Sequence, residues 1–177
     1  YANSRVGKNQ YTQGPNRTKV DQGYSDCSSF AQWVYKQALG IDPGGYTGAQ
    51  IKSPILTTVD SGTTPNKDRL EAGDLLFFRS NTNNGRYKNV GHVEIYDGNG
   101  NVIGHGSGVG PKVRNLDQYV KSRESYGGPY IEARRYTDIA NASGGSSGLL
   151  LRANPGAKLY GKTTTLSIPK NKRVAKQ

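Results

Sequence analysis

Methionine is absent from this chain of 177 residues, and cysteine and tryptophan occur once each. A single cysteine excludes a disulfide within the chain. No apolar run approaches the ~20 residues that a helix needs to span a bilayer, and no apolar signal-peptide core stands at the start. The lack of methionine and the start at Tyr1 predict a piece of a longer or processed polypeptide.

Acidic residues are scarce as well, with 13 Asp and Glu against 24 Lys and Arg, and the net charge is +11. The excess is uneven, because residues 144–177 contain seven Lys or Arg and no acid. A basic balance favours polyanionic partners such as nucleic acid, an anionic membrane or cell-wall polymers. The chain has neither the aromatic and basic motif of an RNA-recognition sheet nor a zinc-finger spacing, so we expect no nucleic-acid partner.

The only cysteine, Cys27, lies at the predicted start of a helix. Ser25 and Asp26 before it are favourable N-cap residues, and Gly40 is a favourable stop. Small or apolar residues recur with helical spacing at Cys27, Phe30, Ala31, Val34 and Ala38. The free N–H groups and positive dipole of a helix start favour a thiolate and would stabilise an oxyanion, which suits a nucleophile. A small buried apolar residue is the alternative for a lone cysteine.

A helix followed by a series of short strands predicts an α+β fold. We expect strands at 75–78, 91–96, 101–106 and 130–136, with a hairpin turn at 97–100. Residues 138–148 are rich in Gly and Ser and are predicted to be a linker, so that residues 1–137 form one domain. Residues 149–177 are predicted to be a basic tail or a fragment of a second domain, because they are too few for a core of their own.

The only two histidines, His92 and His105, lie on the two arms of the predicted hairpin. If the turn has two residues, either 98–99 or 99–100, strand alternation places both imidazoles on one face. One imidazole could then take a proton from a thiol while the other orients it. The same face could instead hold a metal ion together with Glu94, or the two histidines could be unrelated. A three-residue loop would separate them.

The ordered motifs resemble the NlpC-type cysteine peptidases, papain-like enzymes that cut peptides of bacterial peptidoglycan. The resemblance covers residues 1–137 and lies in Asp-Cys-Ser-Ser-Phe at 26–30, Gly-Asp-Leu-Leu-Phe-Phe at 73–78, Gly-His-Val-Glu-Ile-Tyr at 91–96 and Val-Ile-Gly-His-Gly-Ser at 102–107. It implies a papain-like fold, with N-terminal helices packed on a central antiparallel sheet. It also implies that Cys27 is the nucleophile, His92 the general base and His105 the orienting third residue.

The same resemblance implies substrate-binding roles for Tyr11, Asp26 and Ser28. Tyr11 corresponds to a tyrosine that lines the cleft, and Asp26 to the residue that holds the free amine of a stem peptide. From the residues alone, Tyr11 could equally be a packed aromatic and Asp26 a plain helix cap. Ser29 departs from the family pattern, which usually has glycine there. No metal or other cofactor is implied.

We therefore expect a cell-wall hydrolase, a cysteine endopeptidase that cuts the bond between D-γ-glutamate and a diamino acid, as a bacterial or phage lysin module. The alternatives are a related papain-like wall amidase and a non-catalytic wall-binding or phage-tail component. The expected partners are the peptidoglycan stem peptide and, through residues 149–177, anionic wall polymers or a larger phage or cell-surface assembly. The expected location is extracellular or in the cell wall, or in the tail of a phage virion.

Overall fold

A six-stranded antiparallel sheet forms the centre of the computed structural model, which describes residues 1–144. Its strand order is β3-β9-β4-β5-β6-β8, and β2-β1-β7 form a second, three-stranded sheet. The strands are β1 Asn9–Tyr11, β2 Tyr24–Ser25, β3 Leu56–Ser61, β4 Leu75–Arg79, β5 Val90–Tyr96, β6 Asn101–Gly104, β7 Val109–Gly110, β8 Lys112–Asn115 and β9 Tyr130–Tyr136. The helices are α1 Cys27–Leu39, α2 Thr47–Gln50, α3 Leu116–Ser125 and α4 Thr137–Gly144. The predicted α+β fold is confirmed.

The main sheet is covered on both faces, which explains the apolar run in β4. All four side chains from Leu75 to Phe78 are fully buried. Leu75 and Phe77 join the apolar cluster that includes α1, whereas Leu76 and Phe78 join the cluster that includes α3. Because side chains alternate along a strand, a strand with two covered faces is apolar at every position.

Helix α1 begins at Cys27, as the sequence predicts. Asp26 is the N-cap: its Oδ1 accepts the Ser29 N–H at 2.8 Å, and Ser29 Oγ accepts the Asp26 N–H at 2.9 Å. This reciprocal capping box gives Ser29 a structural role that glycine could not fill. The helix ends at Gly40, whose φ of +70° is a left-handed conformation that glycine adopts without strain. Because α1 packs on β5, its first turn lies beside the strand that carries His92.

The hairpin between β5 and β6 has neither of the two predicted registers. Its pairs are Ile95 with Ile103 and Tyr96 with Val102, which leaves residues 98–100 as a three-residue loop. Gly98 and Gly100 both have a φ of +86°, so the loop uses both glycines. A shift of one residue moves a side chain to the other face of a strand. The prediction that His92 and His105 share a face was therefore wrong.

Helix α4 occupies the first part of the segment predicted to be a linker. The Thr137 N–H donates to the Ile55 carbonyl at 2.9 Å, and the helix packs against β3 and β9. The prediction that a linker starts at residue 138 was therefore wrong, because ordered structure continues to Gly144. The rest of that segment and the predicted tail, 149–177, lie outside the described residues. In the part that the structure describes, no helix is long and apolar enough to cross a bilayer.

Candidate active site

Cys27 and His92 meet where the first turn of α1 lies against β5. The Cys27 thiol is a hydrogen-bond partner of the imidazole, and both side chains are largely buried. The His92 ring packs against Phe78 and Tyr119, with ring centroids 6.2 and 6.1 Å away. Tight packing restricts the rotation of the imidazole, so the sulfur and the ring are held together before any substrate arrives.

Glu94 is the second partner of the imidazole. It follows His92 by two residues and shares its face of β5, and its Oε2 lies 2.6 Å from His92 Nε2. This contact leaves Nδ1 to face Cys27. Only 1% of Glu94 is exposed, and within residues 1–144 its Oε1 has no hydrogen-bond partner. A buried carboxylate with so few donors is stabilised by a neighbouring cation, which protonated His92 provides.

The electrostatic surroundings raise the pKa of His92 to about 9. Burial alone would lower this pKa, but the negative charge and hydrogen bond of Cys27, followed by the hydrogen bond and charge of Glu94, outweigh burial. His92 therefore carries a proton at neutral pH. That proton is available for transfer to a group that reacts with Cys27.

Gly104 makes room for the Glu94 carboxylate. Continuing the β5–β6 register by one pair places Gly104 opposite Glu94, and a Cβ at position 104 would overlap the carboxylate. Gly104 is not one of the described glycines with a positive φ, so the position requires glycine for space and not for backbone conformation. Glu94 and Gly104 thus share a single volume beside His92.

From the sequence, Glu94 is predicted only as a candidate metal ligand, and its contact with His92 is not predicted. The signal was present in the sequence, because a carboxylate two residues after a histidine in a strand lies on the same face. The glycine at position 104 was the second signal, and it could be interpreted only with the correct register. Both signals point to Glu94 as the residue that holds the imidazole.

His105 does not contact His92. Beyond the end of β6, its Nδ1 lies 2.7 Å from Ser25 Oγ and its Nε2 lies 2.9 Å from the Gly108 carbonyl. A carbonyl only accepts, so Nε2 carries the hydrogen and Nδ1 accepts the Ser25 hydroxyl. Burial lowers the pKa of His105, which favours this neutral form. The orienting role predicted for His105 is thus contradicted by its contacts, and the metal site that needed both histidines is excluded for the same reason.

Asp26 and Ser28, two of the three predicted substrate contacts, are bonded to Arg17. The Arg17 guanidinium donates to the two Asp26 carboxylate oxygens at 2.7 and 3.0 Å and to Ser28 Oγ at 2.8 Å. Burial alone would raise the pKa of Asp26, but Arg17 and the Ser29 N–H hold it below its usual value. Both side chains are buried and secure the start of α1. Their predicted roles in substrate binding, which for Asp26 is contact with a substrate amine, stay predictions, and a substrate group would have to share these side chains with Arg17.

Tyr11, the third predicted substrate contact, lies in the cleft that contains Cys27 and His92. Its ring is nearly perpendicular to that of His105, with the two centroids 5.2 Å apart, and its hydroxyl accepts from Gln13 Nε2 at 3.0 Å. Burial, together with the charges of Cys27 and Asp26, raises the pKa of Tyr11 to about 12. The hydroxyl therefore stays protonated at neutral pH and is able to donate a hydrogen bond into the cleft.

The cleft is open and has a volume of about 790 Å³, within the range typical of ligand sites. Residues of β8 and α3, together with Tyr126 at the end of α3, form one wall of the cleft, which includes Val113 and Tyr119. Val113 and Tyr126 are each nearly half exposed. A cleft with apolar and aromatic walls and a thiol–imidazole pair at its base is suited to hold a peptide for attack at a carbonyl carbon.

A sequence model of the NlpC/P60 family matches residues 7–127, and the chain belongs to this family. The peptidoglycan DL-endopeptidase CwlO of Bacillus licheniformis is 34% identical over 64% of this chain and 23% of its own length. The gamma-D-glutamyl-L-lysine dipeptidyl-peptidase of Bacillus cereus is 31% identical over 63% of this chain and 28% of its own length. The chain thus spans about a quarter of each of these two relatives.

The fold is similar to that of solved structures from the same family. The crystal structure of the NlpC/p60 domain of the peptidoglycan hydrolase SagA superposes with a TM-score of 0.52 and 27% sequence identity. The superposition covers 76% of this chain and 92% of that domain. The predicted membership of the NlpC-type family is therefore confirmed by both sequence and structure.

Proposed function

We propose that this chain is a cysteine endopeptidase that hydrolyses peptidoglycan stem peptides at the bond between D-γ-glutamate and a diamino acid, in the cell wall or outside the cell. The observation that carries the proposal is the Cys27 thiol against His92, whose second nitrogen is bonded to Glu94, in an open cleft. The names of the two Bacillus relatives, which refer to DL and γ-D-glutamyl-L-lysine bonds, support this substrate class.

The first half of the reaction forms a thioester. The Cys27 thiolate attacks the carbonyl carbon of the scissile bond, and a carbon–sulfur bond forms. As the first residue of α1, Cys27 has a backbone N–H without an acceptor in the helix, and this group stabilises the oxyanion. His92 gives its proton to the leaving amine of the diamino acid, and the carbon–nitrogen bond breaks.

The second half of the reaction restores the enzyme. Neutral His92 takes a proton from water, the resulting hydroxide attacks the thioester, and Cys27 leaves as a thiolate beside the re-formed imidazolium. Glu94 does not touch the reacting atoms and acts as a positioning residue. It holds Nε2, directs Nδ1 towards Cys27, and stabilises the positive charge of the ring.

Product analysis tests the proposed reaction. Sacculi with diaminopimelate and sacculi with lysine are digested with the protein, and the soluble products are analysed by mass spectrometry. We expect a new amino group on the diamino acid and a new γ-carboxylate on D-glutamate. Release of the intact stem peptide from the glycan would identify an amidase instead, and the absence of any product would contradict catalysis. The lysin or phage-tail setting and the binding of residues 149–177 to wall polymers stay predictions.

The pH dependence of the reaction should report on His92. Since the leaving amine takes its proton from His92, kcat/KM should decline as the pH rises past about 9, the pKa of that imidazole. Glu94 helps to raise this pKa, so in Glu94→Gln the alkaline decline should begin at lower pH. The measurement is kcat/KM from pH 6 to 10 for both proteins. An alkaline limb at the same pH in both would show that Glu94 does not stabilise the imidazolium.

A further inference from the structure

We propose that Arg114 forms a carboxylate-binding site in the cleft, which recognises a free carboxylate of the substrate next to the scissile bond. The proposal rests on the proposed function and specifies what the substrate must carry. It concerns the wall of the cleft formed by α3 and β8, whereas the reacting groups come from α1 and β5.

The cleft is positively charged. Among the described residues that line it are Arg114 and Arg123, and none of them is Asp or Glu. The guanidinium of Arg123 is already occupied, because Nε donates to the Gly128 carbonyl at 3.0 Å and Nη2 to the Arg79 carbonyl at 2.7 Å. Arg123 therefore adds positive charge to the cleft, but its side chain is held by these two carbonyls.

Arg114, by contrast, is free to bind. Its Cζ lies 5.0 Å from the centroid of the Tyr119 ring, and within residues 1–144 its guanidinium forms neither a hydrogen bond nor an ion pair. Its N–H donors are therefore open to a ligand. The contact with the Tyr119 ring holds the guanidinium in place, so a carboxylate that binds in a fork has less side-chain motion to restrict.

Tyr119 also relates Arg114 to the reaction centre. The same ring that stacks under Arg114 lies 6.1 Å from the His92 ring. The guanidinium is thus within about three residues of extended peptide from the imidazole. A γ-glutamyl bond leaves the α-carboxylate of the glutamate free, and a diamino acid that ends the peptide or has a second carboxyl group carries a free carboxylate on the other side of the same bond. Either group could reach Arg114.

Three synthetic peptides separate these two sources. The first is L-Ala-γ-D-Glu-L-Lys with both carboxylates free, the second has the glutamate α-carboxylate converted to a carboxamide, and the third has the lysine carboxylate converted to a carboxamide. We expect one of the two amidations to lower kcat/KM of the unaltered protein about tenfold or more, because an ionic hydrogen bond is lost. The amidated peptide with the lower kcat/KM identifies the carboxylate that Arg114 binds.

Arg114→Gln is the test variant, and Lys121→Gln is its control. Lys121 is an exposed residue of α3 that does not line the cleft. Its replacement removes one positive charge, as Arg114→Gln does, but leaves the cleft unaltered. We expect Arg114→Gln to cleave the free peptide about tenfold more slowly and to lose the discrimination between free and amidated peptides. Lys121→Gln should behave like the unaltered protein. Arg114→Lys, which keeps the charge but not the fork, should fall between them.

Discrimination that persists in Arg114→Gln would overturn the proposal. Melting temperatures show whether each variant is folded. If Arg114→Gln is unfolded, Arg114→Lys replaces it as the test variant. If the unaltered protein cleaves none of the peptides, the proposed function fails, but the carboxylate site is still tested by calorimetry. Cys27→Ala should then bind the free peptide about tenfold more tightly than Cys27→Ala combined with Arg114→Gln, and equal affinities would refute the site.

Discussion

Replacing Cys27 with alanine is expected to abolish hydrolysis of sacculi, with a loss of about 10⁴-fold or more in rate. The variant removes the only thiol in the chain. Within residues 1–144, the other side chains found against His92 are Phe78, Glu94 and Tyr119, and none of them is a nucleophile of comparable reactivity. The fold should survive, because alanine is small and favours the first turn of a helix. The measurement is the rate of product release, together with circular dichroism and a melting temperature.

Cys27→Ser is the matched control for Cys27→Ala. Serine keeps the volume and a hydrogen bond to His92, but its hydroxyl is a much weaker nucleophile than a thiolate. We expect both variants to be folded and inactive. Substantial activity in Cys27→Ala would show that this cysteine is a structural residue, and the proposed mechanism would then be wrong.

Replacing Glu94 with glycine is expected to lower kcat on the order of 10²-fold or more, because His92 loses the partner that orients it and stabilises its charge. The shared volume of Glu94 and Gly104 allows a stronger test than the single variant. In the exchanged variant, Glu94→Gly with Gly104→Glu, the carboxylate approaches the same space from the opposite strand. We expect this variant to recover a large part of the lost rate.

Gly104→Glu alone completes this set of variants. It forces two carboxylates into one volume, so we expect it to be destabilised and inactive. Rates and melting temperatures of all four proteins give the coupling between the two positions. If the exchanged variant is folded but no more active than Glu94→Gly, then Glu94 does not act by placing a carboxylate beside His92.

Helix α1 could be predicted from the sequence because its determinants are local. A cap residue, a repeat of small and apolar side chains and a terminal glycine all lie within fifteen residues, and each acts through the backbone next to it. The strands β4 and β5 were predicted for the same reason. Cys27 and His92 belong to these elements, so their positions on the helix start and on the strand were also correctly predicted.

The hairpin register could not be predicted, because the segment 97–100 permits several turns. Two glycines separated by one residue fit a two-residue turn in two ways, and they also fit a three-residue loop that uses both. The choice depends on how the two strands pack in the sheet, which is a tertiary effect. Because the register differs by one residue from either predicted one, Glu94 and not His105 is the partner of His92.

The contact between Arg17 and Asp26 could not be predicted from the sequence pattern, because Arg17 lies in a polar stretch without periodicity. Its partners, which are Asp26, Ser28 and the Gly45 carbonyl at 2.7 Å, come from two separate parts of the chain. No local rule relates these positions. The same limit applies to Arg114, whose relation to the site depends on where α3 packs.

Because of Arg17, the segment that carries the nucleophile is already ordered in the folded protein, before a substrate binds. The bonds of Arg17 to Asp26, Ser28 and Gly45 join the start of α1 to the segments that contain Arg17 and Gly45. A substrate that enters the cleft therefore meets a helix start that needs no further ordering. Binding free energy from the rest of the peptide is then available to distinguish one substrate from another, and the rate of the first chemical step should depend little on any slow rearrangement of α1.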